Sequence, residues 1–295
     1  MKINISDVKT IGIGLLRPEG VMALDDGTLY AADARGQCAK IERNGNTTFW
    51  GSVGGLPNGI CVDKKGNCII ANIGNGEVQS LSLQGNHQVL MTEAGCKKIP
   101  TPNFPLIDSQ ERLWVSNSTN RQNLDEALQR PIPDGCIVLL EKGLLRIVAE
   151  EICFANGLAI DLEEKFLYVA ETMKRRILRF KIGGNGSLHD RKVYGPEILG
   201  SFGFPDGIAF DEAGNLWITF PLWNAVGYLT PQRELVIALE DPENKVLKRP
   251  SNICFGWEGR KTAFIGSLDG TNIPYFEVPS PGMGLVHQSS IDKPG

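Results

Sequence analysis

Residues 205–220 read PDGIAFDEAGNLWITF, and the same pattern occurs five more times along the 295-residue chain. The other copies occupy residues 18–33, 57–72, 102–117, 155–171 and 250–267. In each copy, two apolar runs flank a polar break that contains Gly or Glu, which is typical of a β-hairpin. The residues that follow the leading Pro or Ala lie 39 to 53 residues apart. This spacing is close to that of a four-stranded propeller blade.

The repeat predicts an all-β protein, a six-bladed β-propeller with four-stranded blades around a central channel. No Pro/Ser-rich, Gly/Ser-rich or strongly charged linker divides the chain, so residues 1–295 are predicted to form a single domain. Either the N-terminal run TIGIGLL, residues 10–16, or the run GMGLVHQ, residues 282–288, could complete the last blade.

Composition narrows the range of partners and compartments. The net charge of -4 gives no electrostatic reason to expect nucleic acid or anionic lipid, and no apolar run is long enough for a membrane helix. Seven cysteines form no C-x-x-C pair, and the N-terminus lacks a signal-peptide pattern. We therefore expect free thiols, a cytoplasmic location and a small-molecule substrate, with no nucleic-acid or membrane partner.

One polar position recurs at the start of the innermost strand of every blade. Equivalent positions should point toward the same mouth of the channel. The residues at this position are Glu19, Asn58, Asn103, Asn156, Asp206 and Ser251. All six carry oxygen, and carboxylate and amide oxygens suit a hard divalent cation such as Ca²⁺. The two carboxylates could balance the charge of one such ion.

These positions also have an ordinary structural interpretation, because Asn and Ser after Pro are common turn residues that bond their own backbone. We favour that interpretation for Asn58 and Ser251. For Glu19 and Asp206 we favour a functional role, since two carboxylates that face a channel need a partner. Without an ion, their repulsion should raise the pKa of one of them.

The motifs PEG from residue 18, NGLAID from residue 156 and PDGIAFDEAGNLW from residue 205 resemble the SMP-30/gluconolactonase family. The resemblance implies a six-bladed propeller that hydrolyses lactones with one divalent metal ion. It implies Glu19, Asn156 and Asp206 as metal ligands, and Asn103 beside the metal as a substrate contact or a direct ligand. We expect Ca²⁺ as the ion, with Zn²⁺, Mn²⁺ or Mg²⁺ as alternatives.

The resemblance also suggests a mechanism and a substrate preference. A metal-activated water would open the lactone, with Asp206 as proton acceptor or direct nucleophile and Asn103 stabilising the developing negative charge. The family's sugar lactonases carry Arg two residues before this Asn and Asp directly after it, where this chain has Thr101 and Phe104. With Phe104 in the substrate site, a more apolar lactone or ester is expected rather than a polyhydroxylated sugar lactone.

Two other functions remain open at this stage. The segment LYVAETMKRRILRFK, which includes Glu171, is similar to strictosidine-synthase-like propellers, which carry out metal-independent condensation. A non-catalytic propeller that binds other proteins is the third possibility, because a fold alone does not determine function. A Ser-His-Asp hydrolase is disfavoured, since the sequence has no G-x-S-x-G motif and three histidines.

Overall fold

The computed structural model describes residues 2–121 and 123–288. Across these ranges the strands form six four-stranded antiparallel sheets and one separate two-stranded hairpin. The six sheets are the blades predicted from the repeat, and the fold class is confirmed as a six-bladed β-propeller.

Blades 1 to 5 each run from an innermost to an outermost strand in chain order, and blade 6 takes its outermost strand from the N-terminal part of the chain. The strands of blades 1 to 3 are Val21–Ala23, Leu29–Asp33, Gln37–Ile41 and Thr47–Trp50; Pro57–Val62, Cys68–Asn72, Glu77–Leu81 and His87–Met91; and Pro102–Ile107, Leu113–Asn117, Gly135–Glu141 and Leu144–Ile152. Those of blades 4 and 5 are Ala155–Ile160, Phe166–Glu171, Arg176–Ile182 and Leu188–Tyr194; and Ile208–Phe210, Leu216–Phe220, Ala225–Leu229 and Leu235–Glu240. Blade 6 comprises Pro250–Gly256, Thr262–Ser267, Ile273–Glu277 and the N-terminal strand Lys9–Ile11, and the small hairpin comprises Glu93–Ala94 and Lys97–Lys98.

The N-terminal run closes the ring. Lys9–Ile11 pairs antiparallel with Ile273–Glu277 as the outermost strand of blade 6. The other candidate, residues 282–288, lies instead beside the central channel, where Gly282 forms an isolated bridge with Asp211. The first and last blades of the ring are therefore joined by a sheet that contains both an N-terminal strand and the last strands of the chain.

The innermost strands surround the axis, and each contacts the innermost strand of the next blade, including blade 6 against blade 1. They are the most buried strands: every residue of Pro57–Val62 is buried, whereas most of the outermost strand His87–Met91 is exposed. The gradient explains why the innermost runs are apolar throughout while the outer strands carry charge.

Large aromatic side chains pack between the blades. Trp114 and Trp217, from the second strands of blades 3 and 5, are fully buried. Each donates its indole N–H to an aspartate at the far end of the innermost strand, Asp108 at 2.8 Å and Asp211 at 2.9 Å. In blades 3 and 5, the aspartate at the end of the innermost strand opposite the polar ring therefore has a structural role.

Helical structure is scarce. The α-helix Leu124–Gln129 lies in the long third repeat and is capped by Asn123, whose side chain accepts a hydrogen bond from Asp125 N. Short 3₁₀ turns occupy Ile5–Asp7, Thr172–Lys174 and Glu258–Arg260. No helix in the described part of the chain has the length and apolar character required to span a membrane.

Candidate functional site

The six ring positions lie where the innermost strands depart from regular pairing. In blades 2, 3, 4 and 6 the register shifts directly at the ring residue, as between Pro57 and Ile60 or between Ala155 and Leu158. In blades 1 and 5 the paired strand begins two residues after the ring position, at Val21 and Ile208. A bulge redirects side chains away from strict alternation. The side chains at these positions therefore need not point to either face of the blade.

Glu19 is a buried carboxyl with an unfilled bonding position. It is 2% exposed, and its Oε2 atom has no hydrogen-bond partner among the described residues. Burial raises the pKa of Glu19 to about 7, although the Arg17 charge and a hydrogen bond from Asn58 act in the opposite direction. A carboxylate in this environment requires a counter-charge in order to remain ionised at neutral pH.

Asp206 provides the second acidic group. It is 7% exposed, and its backbone N–H donates to Thr219 O at 3.0 Å, which fixes the residue before its strand begins. Burial, and then the charge of Glu19, raise the pKa of Asp206 well above its usual value. The charge of Glu19 thus opposes the ionisation of Asp206, as expected from the sequence.

Asn156 is oriented by a threonine that sequence reasoning missed. Its Nδ2 donates to Thr172 Oγ1 at 3.2 Å, and that hydroxyl donates to Pro205 O at 2.7 Å. With the nitrogen engaged, the buried Oδ1 of Asn156 is left without a partner in the described ranges. Thr172 lies in a 3₁₀ turn after the second strand of blade 4, and no motif singles it out.

Asn58 and Asn103 form the second half of the ring. Arg17 Nη2 donates to Asn58 Oδ1 at 2.8 Å, and Asn58 Nδ2 donates to Asn103 Oδ1 at 3.2 Å. The expectation that Asn58 bonds its own backbone is therefore wrong, because these bonds link three blades. Ser251 differs likewise from its expectation: its hydroxyl donates to Glu19 O at 3.0 Å.

Asn252, the residue after Ser251, is the main omission from the predicted set. It is 1% exposed, and neither its Oδ1 nor its Nδ2 has a partner among the residues described. The blade 6 motif reads PSN, with Asn at the position that is Gly in blades 1, 2, 4 and 5. Alignment of the six repeats therefore indicated Ser251 instead of Asn252 as the ring residue of blade 6.

Phe104 lies behind the ring and faces an apolar cavity of about 120 Å³ along the axis. The cavity is lined by residues further along the innermost strands, including Leu158 and Ile208, and by the segment 283–288. None of the six ring residues lines the cavity, which extends from Phe104 toward the far ends of the innermost strands at Asp108 and Asp161. Phe104 is 6% exposed, so it forms part of this wall.

The donor set suits a hard cation. Glu19 Oε2 and Asn156 Oδ1 are buried oxygens without partners, and Asp206 is an adjacent carboxyl with a raised pKa. Unpaired buried oxygen atoms and opposed carboxyls would both be satisfied by one divalent ion. Within the described ranges, no three His, Cys, Asp or Glu side chains are grouped as a metal centre. Any cation here would therefore depend on amide oxygens as well as on the two carboxylates.

Comparison with known proteins gives a family and several relatives. Residues 18–269 match the family model SMP-30/Gluconolactonase/LRE-like region. The chain is 26% identical to a gluconolactonase of Zymomonas mobilis over 71% of its length, and 25% identical to the 6-deoxy-6-sulfogluconolactonase of Pseudomonas putida over 51%. It is also 26% identical to STRICTOSIDINE SYNTHASE-LIKE 6 of Arabidopsis thaliana over 74%. The alignments span 60%, 50% and 60% of those relatives, respectively.

Solved structures with the same fold cover nearly the whole chain. A gluconolactonase of Xanthomonas campestris superposes with a TM-score of 0.75 at 20% identity, covering 94% of this chain and 89% of that one. Regucalcin of Agrobacterium tumefaciens, described as a calcium-binding protein, superposes with a TM-score of 0.73 at 15% identity, covering 92% and 93%.

Proposed function

The chain belongs to the SMP-30/gluconolactonase/LRE-like family, and on that basis we propose that it is a divalent-cation-dependent hydrolase that opens a lactone or a related ester. Two relatives named as lactonases support this class of reaction. A relative in fold described as calcium-binding supports Ca²⁺ as the first ion to test.

One observation carries the proposal: the buried carboxyls of Glu19 and Asp206 interact electrostatically, and the buried oxygens Glu19 Oε2 and Asn156 Oδ1 have no partner among the described residues. Strongly perturbed carboxyls in a concave site are a mark of function, since a purely structural core would avoid their desolvation. We assign Glu19, Asn156 and Asp206 as the residues that hold the ion. Thr172 orients the Asn156 amide so that its oxygen remains free.

When bound, a divalent ion supplies a Lewis acid that polarises the lactone carbonyl and lowers the pKa of water. The side chains of Asp206 and Asn103 have separate roles in the reaction. The Asp206 carboxylate accepts the proton of the attacking water or attacks the carbonyl carbon itself. The Asn103 amide positions the substrate carbonyl and stabilises the negative charge that develops on it.

The residues around Asn103 indicate the substrate class. Thr101 is 1% exposed, and its hydroxyl donates to Thr119 O at 2.6 Å, so it is committed to the blade. Phe104 faces the apolar cavity instead of presenting a carboxylate to sugar hydroxyls. We therefore propose that alkyl-substituted lactones or esters are better substrates than polyhydroxylated sugar lactones.

The condensation alternative depends on Glu171, and the structure favours a structural role for that residue. Its Oε2 accepts from Arg176 Nε at 2.6 Å, while its Oε1 accepts from Cys153 N at 2.9 Å and Arg191 Nη2 at 3.4 Å. Both carboxylate oxygens are thus occupied, in contrast to Glu19 Oε2. Pairing with two arginines thus favours a structural role for Glu171.

The test combines metal analysis with a substrate panel. Protein freed of metal by a chelator would be assayed on alkyl lactones, gluconolactone, esters and phosphotriesters, with Ca²⁺, Mg²⁺, Mn²⁺ or Zn²⁺ added back. We expect hydrolysis of alkyl lactones only with an ion present. Full activity in verified metal-free protein would refute cation dependence, and no turnover on any substrate would favour a non-catalytic propeller.

Site variants need a matched control. We expect Asp206→Asn to abolish both cation binding and hydrolysis in folded protein. The control is Asp211→Asn, a buried aspartate in the same blade whose carboxylate bonds Trp217 and Asn215. It should lose stability but keep cation affinity. A single turnover in ¹⁸O-labelled water would distinguish the two roles of Asp206. Only a nucleophilic aspartate forms an acyl-enzyme, and its hydrolysis can incorporate label into the Asp206 carboxylate.

A further inference from the structure

Asn252 has an amide group with no use in the fold. It lies at the register shift of the innermost strand of blade 6, between Pro250 and Ile253. The side chain is buried, and both polar atoms are unbonded within the described part of the chain. Buried amides almost always have partners, so an amide with two free atoms indicates a ligand or bound water at that point.

Its position is between the two acidic residues. A Cβ placed on Gly207, the residue after Asp206, would lie 2.6 Å from Asn252 Cα. A Cβ placed on Gly266 would lie 2.7 Å from Asn252 Cβ and 2.0 Å from Glu19 O. Both neighbours are glycines, and only their missing side chains allow Asn252 to approach so closely.

Backbone bonds hold this arrangement on both sides. Gly207 N donates to Ser251 O at 2.7 Å, and Ser251 Oγ donates to Glu19 O at 3.0 Å. Blade 6 is thereby fastened to the blade of Asp206 and to the blade of Glu19. These bonds hold Asn252 between the two blades without using its side chain. The Asn252 amide therefore remains available to bind a ligand.

We propose that Asn252 provides a further oxygen ligand to the cation, in addition to Glu19, Asn156 and Asp206. The inference rests on the proposed function, since it requires that the mouth binds a cation. An amide adds oxygen without charge, so the two carboxylates continue to balance one divalent ion.

The experiment compares wild type, Asn252→Ala and Asn252→Asp by calorimetric Ca²⁺ titration, and by thermal melting in chelator and in Ca²⁺. Loss of an oxygen ligand should weaken Ca²⁺ binding by Asn252→Ala by roughly tenfold or more. Asn252→Asp keeps an oxygen and should retain affinity. In chelator, Asn252→Ala should melt no lower than wild type, because the unbonded amide stabilises nothing in the metal-free protein.

The matched control is Asn72→Ala, which removes a buried asparagine with a fully bonded side chain. Asn72 Oδ1 accepts from Leu56 N at 2.9 Å, and its Nδ2 donates to Gly54 O at 2.9 Å. Asn72→Ala should therefore melt lower in chelator and yet, where folded, bind Ca²⁺ with wild-type affinity. Asn252→Ala should weaken Ca²⁺ binding without lowering the melting temperature in chelator, whereas Asn72→Ala should do the reverse. This contrast distinguishes a metal ligand from a structural residue.

The outcomes are distinct. Wild type that binds none of the four divalent ions overturns the proposed function and this inference together. Wild type that binds Ca²⁺ while Asn252→Ala binds within twofold overturns only the inference. An Asn252→Ala variant that melts lower in chelator, as Asn72→Ala does, also overturns it, because the amide then has a structural role. Weakened binding with unchanged metal-free melting supports it.

Discussion

Glu19→Gln should stabilise the metal-free protein at high pH. The pKa of Glu19 is raised from 4.5 to about 7 by burial, so the fold favours the protonated, neutral form. Its contribution to stability is fully present below pH 4.5, the unfolded value, and is lost as the pH rises through 7. Gln resembles the protonated side chain at every pH, so it should avoid that loss.

The magnitude follows from the size of the shift. A rise from 4.5 to about 7 corresponds to about 3 kcal/mol of unfolding free energy at pH 8, taken at roughly 1.4 kcal/mol per pKa unit. The neutral side chain should also relieve Asp206, whose pKa is raised in part by the charge of Glu19. Near pH 4.5 the variant and wild type should differ little, because both then carry a neutral group at position 19.

Urea denaturation in chelator at pH 4.5 and pH 8 measures this difference. Glu171→Gln is the control, since Glu171 is equally buried but accepts hydrogen bonds from Arg176 and Arg191. It should lower stability at pH 8, the opposite sign, because it leaves guanidinium groups without their partner. A Glu19→Gln variant that is less stable than wild type at pH 8, or equally shifted at both pH values, would refute the reasoning.

Three further predictions concern orientation, structure and thiols. Thr172→Val removes the hydroxyl that holds Asn156 Nδ2, so Ca²⁺ affinity should fall about tenfold in a calorimetric titration, whereas Thr172→Ser should retain it; equal affinity for both would contradict the orienting role. Asp211→Ala leaves the Trp217 indole without its acceptor and should lower the unfolding free energy by about 1–3 kcal/mol in urea, with Ca²⁺ affinity unchanged. Cys96 is exposed while the other six cysteines are buried, so a colorimetric thiol reagent should label one thiol in the native protein and seven in denaturant; fewer in denaturant would indicate a disulfide.

The repeat was readable from sequence because a propeller repeats its local chemistry. Each blade needs the same hairpin, with a polar break between apolar runs, and this requirement produces the pattern seen in residues 205–220. The same reasoning predicted that Glu19 and Asp206 would occupy equivalent positions, and in the structure the charge of Glu19 raises the pKa of Asp206. Their metal-binding role stays a prediction.

The sequence did not predict the site residues whose positions depend on irregular backbone. Asn252 lies one residue beyond the aligned ring position, and the register shift next to it determines that it carries the unbonded side chain while Ser251 bonds the backbone of Glu19. Thr172 lies in the 3₁₀ turn that follows the second strand of its blade, outside the repeated motif altogether. Sequence alignment of the repeats assumes regular pairing, and a bulge breaks that assumption.

The sequence by itself determined the number of blades, the apolar inner strands and the acidic and amide residue types at the strand starts, because these depend on local periodicity. Only the tertiary structure decided that Lys9–Ile11 completes blade 6 and that Glu19, from the first blade, adjoins the residues of the last. The reason is ring closure: it brings residues 232 positions apart, Ser251 and Glu19, into hydrogen-bond contact. No pattern along the chain encodes which neighbours that closure brings together.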